Sequence, residues 1–178
     1  FFFKQKTAYE IPKRDWSSDV CSSDLAYYVA KKYFGLREKF GLSYMINKFG
    51  SFENIYYFFD PSLKIFVGRF MIQKKSYFLK KAWKVNLSTA DEELVGSGYG
   101  TRMYLVIIDD VEYLASDDTL YSGSYRMWKH VLPKYVNVWG VIKDEDGIIS
   151  KFVKLNDKNK NMVRKFDFFV ASSKHNKI

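Results

Sequence analysis

The stretch Val95-Gly96-Ser97-Gly98-Tyr99-Gly100-Thr101, running on into Arg102-Met103-Tyr104-Leu105-Val106-Ile107-Ile108, decides how this chain is read. Alternate glycines break regular structure. From Thr101 the apolar residues Met103, Tyr104, Val106, Ile107 and Ile108 then fall at helical spacing. A glycine-rich turn that runs into a helix leaves the first backbone N–H groups without intrahelical partners. With the positive end of the helix dipole they form an anion site. Gly98 and Gly100 let the backbone approach a phosphate with no side chain in the way, and Thr101 adds a hydroxyl donor. A glycine triplet alone is equally a flexible turn, so its neighbours carry the weight.

Upstream, residues 82–87 alternate Trp83, Val85 and Leu87 against Lys84 and Asn86, the pattern of a half-buried strand. Downstream, Tyr113-Leu114-Ala115-Ser116 reads as a short strand. Residues 122–134 read as a helix, with Ser122 or Ser124 placed to cap it and Pro133 near its end. Further out, Ile55-Tyr56-Tyr57-Phe58-Phe59 is rich in strand formers and stops at the turn Asp60-Pro61-Ser62. Residues 65–72 then return as the second arm of a hairpin. Residues 136–143 and 148–155 pair around Asp144-Glu145-Asp146-Gly147, and residues 166–170 form a last strand. Between residues 26 and 49 the periodicity is mixed. Tyr27, Val29, Ala30, Tyr33, Phe34, Leu36 and Phe40 suit one side of a helix broken at Gly35 and Gly41.

Residues 1–25 are set apart. Lys4-Gln5-Lys6-Thr7-Ala8-Tyr9-Glu10-Ile11 and Asp15-Trp16-Ser17-Ser18-Asp19-Val20-Cys21-Ser22-Ser23-Asp24-Leu25 resemble one reading frame of a short-read library primer. Pro12, Lys13 and Arg14 stand where its variable index falls. The segment is expected to be an adapter-derived artefact without order, joined to a native sequence whose true start is hidden. Residues 26–178 are expected to form one domain. The charges of the first segment cancel, so the net charge of +9 belongs to the rest. The single cysteine, Cys21, goes with the adapter. That leaves no disulfide framework, thiolate nucleophile or cysteine metal site. No apolar run approaches the ~18 residues of a membrane span. The excess of lysine suits an AT-rich genome, an anionic nucleotide ligand or nucleic acid.

The glycine segment is similar to the acyl-coenzyme A pyrophosphate loop of the GNAT family of N-acetyltransferases, where Gln or Arg leads into two residues and then Gly-x-Gly or Gly-x-Ala. Gly98 and Gly100 match, whereas Val95 replaces the Gln or Arg. Ser116-Asp117-Asp118-Thr119-Leu120-Tyr121 resembles the next core strand and its exit. Gly123-Ser124-Tyr125-Arg126-Met127-Trp128 resembles the helix beside the cofactor thiol. The second half is similar, in particular, to small acetyltransferase-like proteins encoded by phages. The resemblance covers roughly residues 55–153. It implies an α+β fold with a mixed, mostly antiparallel central sheet flanked by helices, in a protein of the (host) cytoplasm. It also implies acetyl-CoA as cosubstrate, with its pyrophosphate on Val95, Gly96, Ser97, Gly98, Tyr99, Gly100 and Thr101. The pantetheine arm would run along Thr89 and Ala90 with Trp128 nearby, and a backbone N–H there would steady the oxyanion.

Acetyl transfer to an amine needs a neutral amine and is helped by an acid for the departing thiolate. The family's tyrosine acid falls at Trp128, whose indole is too weak an acid. Tyr125 and Tyr121 are the expected substitutes, with core or rim packing as the competing reading in a chain that is 19% aromatic. The base falls to Asp91, Glu92 or Glu93, with Glu92 as the candidate, acting through water; a solvated turn is the competing reading. The departures at Val95 and Trp128 keep a second class open, a catalytically degenerate binding protein of this fold. The cations and aromatics of Gln73-Lys74-Lys75-Ser76-Tyr77-Phe78-Leu79-Lys80-Lys81 keep a third, a basic nucleic-acid-binding module. His130, expected on an exposed helix side, and His175, in a tail, lack the partner pattern of a metal site. The acceptor amine is not legible, and neither is the oligomeric state.

Overall fold

The structure, a computed structural model, describes residues 20–75, 82–90, 94, 96–117, 119–156 and 166–173, with side chains from Leu25 onward. Tight turns organise the first half. Phe40 and Gly41 both take positive φ, 51° and 71°, a primed-turn geometry that matches strand twist. It joins β1 (Arg37–Lys39) to β2 (Leu42–Phe49). This corrects the helix expected over residues 26–49. Only its first part exists, as α1 (Val20–Tyr33), which begins inside the segment read as adapter. Gly35, at φ 67°, then lets the chain leave the helix. Pairing of β2 with β3 along seven residues outweighs helical spacing that the apolar positions matched only by coincidence.

Strands β3 (Glu53–Asp60) and β4 (Ile65–Lys75) form the expected hairpin. At its turn Asp60 Oδ1 accepts the N–H groups of Ser62 and Leu63 at 2.7 and 2.9 Å. Strand β5 (Ala82–Ala90) runs longer than alternation suggested, followed by α2 (Tyr99–Asp110) and β6 (Tyr113–Ala115). The next helical segment is not one α-helix. It comprises α3 (Ser122–Arg126), a π turn over Met127–Val131 and a 3-10 turn over Leu132–Lys134. Its N-cap is Tyr121, with no side-chain hydrogen bond, so neither Ser122 nor Ser124 caps it. The hairpin of β7 (Asn137–Lys143) and β8 (Ile149–Lys154) and the strand β9 (Phe168–Ser172) follow as expected.

The nine described strands join one sheet in the order β1-β2-β3-β4-β5-β6-β9-β7-β8. Only β5 and β6 pair in parallel; every other described pair is antiparallel. The last strand is inserted between β6 and β7 and so ties the two halves together. Helix α2 buries Met103, Tyr104, Val106, Ile107 and Ile108 on one face of the sheet. The abundance of aromatics finds its use here. Rings run from Tyr44 and Tyr56 through Phe58, Phe70, Tyr104 and Trp128 to Phe169, with successive centroids 4.8 to 6.3 Å apart. Each such pair adds about 0.5–1.5 kcal/mol beyond simple burial. On the opposite face α1 packs Ala26, Tyr27 and Ala30 against Phe59. The architecture is thus α+β with a large mixed sheet, as expected.

Candidate functional site

A fork in the sheet places the site. Strands β5 and β6 pair at three positions only, Ala82↔Tyr113, Trp83↔Leu114 and Lys84↔Ala115. Just beyond, the register of β5 on β4 shifts: Ile72 lies opposite Val85 but Met71 opposite Leu87, which leaves Asn86 as an extra residue. Such a bulge bends its strand and ends pairing. From Asn86 to Ala90 the strand is exposed. No described strand pairs with its outer edge there, so that edge offers backbone donors and acceptors. At the root of the fork the Lys84 ammonium lies 3.1 Å from Asp117 Oδ1, bridging the two strands where they part.

The start of α2 lies against the far end of β5. A Cβ on Gly68, the partner of Ala90, would meet Met103 of the helix at 3.2 Å. Gly98 is the N-cap, at φ 84° and ψ 0°, and no side chain caps the helix. The first intrahelical bond runs from Arg102 N–H to Gly98 O, at 3.2 Å. The N–H groups of Tyr99, Gly100 and Thr101 precede it and so have no carbonyl of the helix to bind. Ser97 serves its own turn, its hydroxyl and N–H both donating to Leu94 O at 2.5 and 3.2 Å. A Cβ on Gly98 would face open space, whereas one on Gly100 would touch Met127 Cε at 3.6 Å. Gly98 therefore keeps the approach clear, while Gly100 faces the neighbouring helix. The hydroxyl of Thr101 also turns that way, 3.7 Å from Met127 Sδ.

The side chain of Tyr99 turns inward. Its buried ring stacks under the Arg102 guanidinium, 4.3 Å from the centroid, and its hydroxyl donates to Asp60 Oδ2 at 2.5 Å. The contact moors the glycine turn to the β3–β4 hairpin. Burial works to raise the pKa of Asp60. The hydrogen bonds from Tyr99, Leu63 and Ser62 and the Arg102 charge prevail and hold it below the ordinary 3.8.

Across the fork, Tyr121 is 82% exposed. Tyr125 is half-buried, edge-on to Phe169 at 5.3 Å. Trp128, expected beside a cofactor, is 0% exposed and lies in the core between Tyr104 and Phe169. The π turn that begins at Met127 rotates it inward. Its indole N–H approaches the Tyr104 hydroxyl without reaching hydrogen-bond geometry. Burial above all raises the pKa of Tyr104, so it stays a neutral phenol. Three features of the site were missed from sequence: the bulge at Asn86, the Lys84–Asp117 bridge and the mooring through Tyr99. Only an asparagine amid strand formers hinted at the first.

Thr89, Ala90, Gly96, Ser97, Gly98, Gly100 and Thr101 therefore fall at or beside the fork. The candidate base Glu92, its neighbours Asp91 and Glu93, and Val95 lie outside the described residues, as do residues 76–81 and His175. His130 is half-buried, not on an exposed side. Among the described residues no group of three or more His, Cys, Asp or Glu is arranged to hold a metal. No described helix is long and apolar enough to cross a membrane.

No family model matches this chain, and no curated protein matches it. Among solved structures it is similar to one described as "Putative acetyltransferase from GNAT family" from Bacteroides thetaiotaomicron, with a TM-score of 0.40 and 11% identity. The likeness covers 70% of this chain and 63% of that one. The chain thus spans less than two thirds of that structure's length, and a likeness this distant establishes neither family nor activity.

Proposed function

We propose that this chain is an N-acetyltransferase of the GNAT type, of the kind phages encode, moving an acetyl group from acetyl-CoA to an amine. The observation that carries the reading is the fork, where the exposed edge of β5 lies beside the uncapped start of α2. The N–H groups of Tyr99, Gly100 and Thr101 would receive the pyrophosphate, as helix starts receive anions. Main-chain groups of Thr89 and Ala90 would hold the pantetheine arm, and one N–H of that edge would steady the oxyanion. Acetyl-CoA would supply a thioester whose thiolate leaves without strong acid help. Tyr121 or Tyr125 would offer a hydroxyl to the departing thiolate. The acceptor amine would lose its proton to Glu92, directly or through water.

A shift in melting temperature with acetyl-CoA tests the binding half of this reading. At about a hundred times the dissociation constant, binding adds roughly 2.7 kcal/mol, which moves the midpoint of a domain this size by roughly 5–10 °C. No shift in a folded sample would sink the proposal. The burial of Trp128 at the place of the family's acid favours one second reading, a protein of this fold that binds without catalysis. A clear shift with no thiol released in the presence of mixed amines would select it.

A further inference from the structure

Strand β2 is flanked on its outer side for three residues only, through Arg37↔Tyr44, Glu38↔Ser43 and Lys39↔Leu42. Before Arg37 the chain turns away into α1. On its inner side β2 pairs with β3 as far as Phe49. The outer edge from Met45 to Phe49 therefore has no described strand beside it. A recess of about 140 Å³ lies along that edge, lined by Phe34, Gly35, Arg37 and residues 45–48. Five residues of open edge extend for roughly 17 Å, enough to register a short strand.

The surroundings select what would fill it. Arg37 and Lys48 line the recess, and α1 ends in Lys31 and Lys32. No carboxylate lines the recess; of those on the neighbouring strands, Glu38 and Glu53 are near the edge and Asp60 is held by Tyr99 at the far end of β3, so cations prevail along the recess. Phe34 and Phe49 are large apolar side chains left 49% and 44% exposed. We propose that the outer edge of β2 binds an extended acidic peptide segment by strand addition. Its main chain would pair with residues 45–49 and its carboxylates would meet Arg37 and Lys48. A second copy of this chain is a poor occupant, because it would set two +9 molecules edge to edge. The proposal is independent of the acetyltransferase reading, since it uses no residue of the fork.

The test is fluorescence polarisation of the full chain with a labelled peptide of alternating Glu and Val. Saturable binding is expected, with slowed amide exchange over residues 45–49. Methylating alternate peptide nitrogens, which removes main-chain donors, should weaken binding at least about tenfold, as should Lys48→Glu on the exposed edge. Absence of binding would overturn the proposal and leave Arg37 and Lys48 as charges that blunt a bare edge. Binding that ignores N-methylation, or that single-stranded DNA of equal charge displaces equally well, would overturn it in favour of a polyanion surface. Slowed exchange confined to other segments would overturn it too.

Discussion

Helix α2 treats its two ends in opposite ways. At the C-terminus it carries Asp109 and Asp110, where the negative end of the helix dipole disfavours carboxylates. Both are tied down. Lys39 pairs with Asp109 and, at 3.2 Å, with Asp110, while the Tyr44 hydroxyl donates to Asp110 at 3.3 Å. At the N-terminus no side chain caps the first turn. Asp60, the carboxylate that reaches this end, binds the Tyr99 hydroxyl instead of a backbone N–H of the helix. So the end with the wrong charges is repaired, and the end that one serine or aspartate could cap is left open. Stability alone would not choose that arrangement; a helix start kept for an anion would.

The largest effect is expected where the open end is moored. Asp60→Ala removes the acceptor of one hydroxyl and two backbone N–H groups. It should destabilise by about 2–3 kcal/mol in urea titration, as lost hydrogen bonds to charged groups do. The pH dependence has a definite sign. Because the folded carboxyl titrates below the ordinary 3.8, its contribution is whole above that value and is lost as pH falls through it toward the lower folded pKa. The wild type should thus lose this increment on acidification while Asp60→Ala does not. Equal acid sensitivity in both would mean that the mooring is not formed.

Next comes the turn itself. Gly98→Ala forces an L residue to φ 84° and should cost about 1–2 kcal/mol. Because the added methyl enters the open space before the helix, it should also diminish the acetyl-CoA shift measured against its own baseline. Gly100→Ala, whose methyl makes an ordinary contact with Met127, should keep both stability and the shift. If the two variants behave alike, the comparison between them collapses, and with it the assignment of Gly98 to the approach. At the repaired end, Lys39→Met leaves two carboxylates against the dipole and should cost about 1 kcal/mol, less at high salt. Acetyl-CoA binding should not change, and any loss there would mean that the two ends are coupled.

What the sequence made legible follows from how local each signal is. Strands β3, β4, β7 and β8 and the apolar face of α2 are set by alternation, helical spacing and turn residues within a few positions. The hairpin of β1 and β2 escaped because its turn needs Phe40, which is not a glycine, at φ 51°. The glycine turn was legible as a break that runs into a helix, but the inward course of Tyr99 was not, since its partner Asp60 is 39 residues away. The fork depends on the register of β5 against β4, and the burial of Trp128 on a π turn. Both are products of packing that no local pattern announces. The turn and helix start of the candidate site were therefore readable in their backbone, and their side-chain contacts were not.

The smallest effect concerns the start of the other helix, α1. Of the α1 side chains described, Leu25 is 65% exposed, whereas Ala26, Tyr27 and Ala30 are buried against Phe59. A chain begun at Ala26 keeps all three buried contacts. It gives up the helix from Val20 to Leu25, more than one turn, and places a new terminal ammonium at the positive end of its dipole, which is mildly unfavourable. If the preceding residues are adapter, their removal should count as a surface change and stay within about 0.5 kcal/mol, so the melting temperature should move by no more than about 2 °C. A larger fall would show that residues before Ala26 belong to the folded unit and would remove the reading of the first twenty-five residues as adapter. A fall within that limit would complete the contrast, in which α1 tolerates the loss of its start while α2 is expected to be sensitive at its N-cap, Gly98.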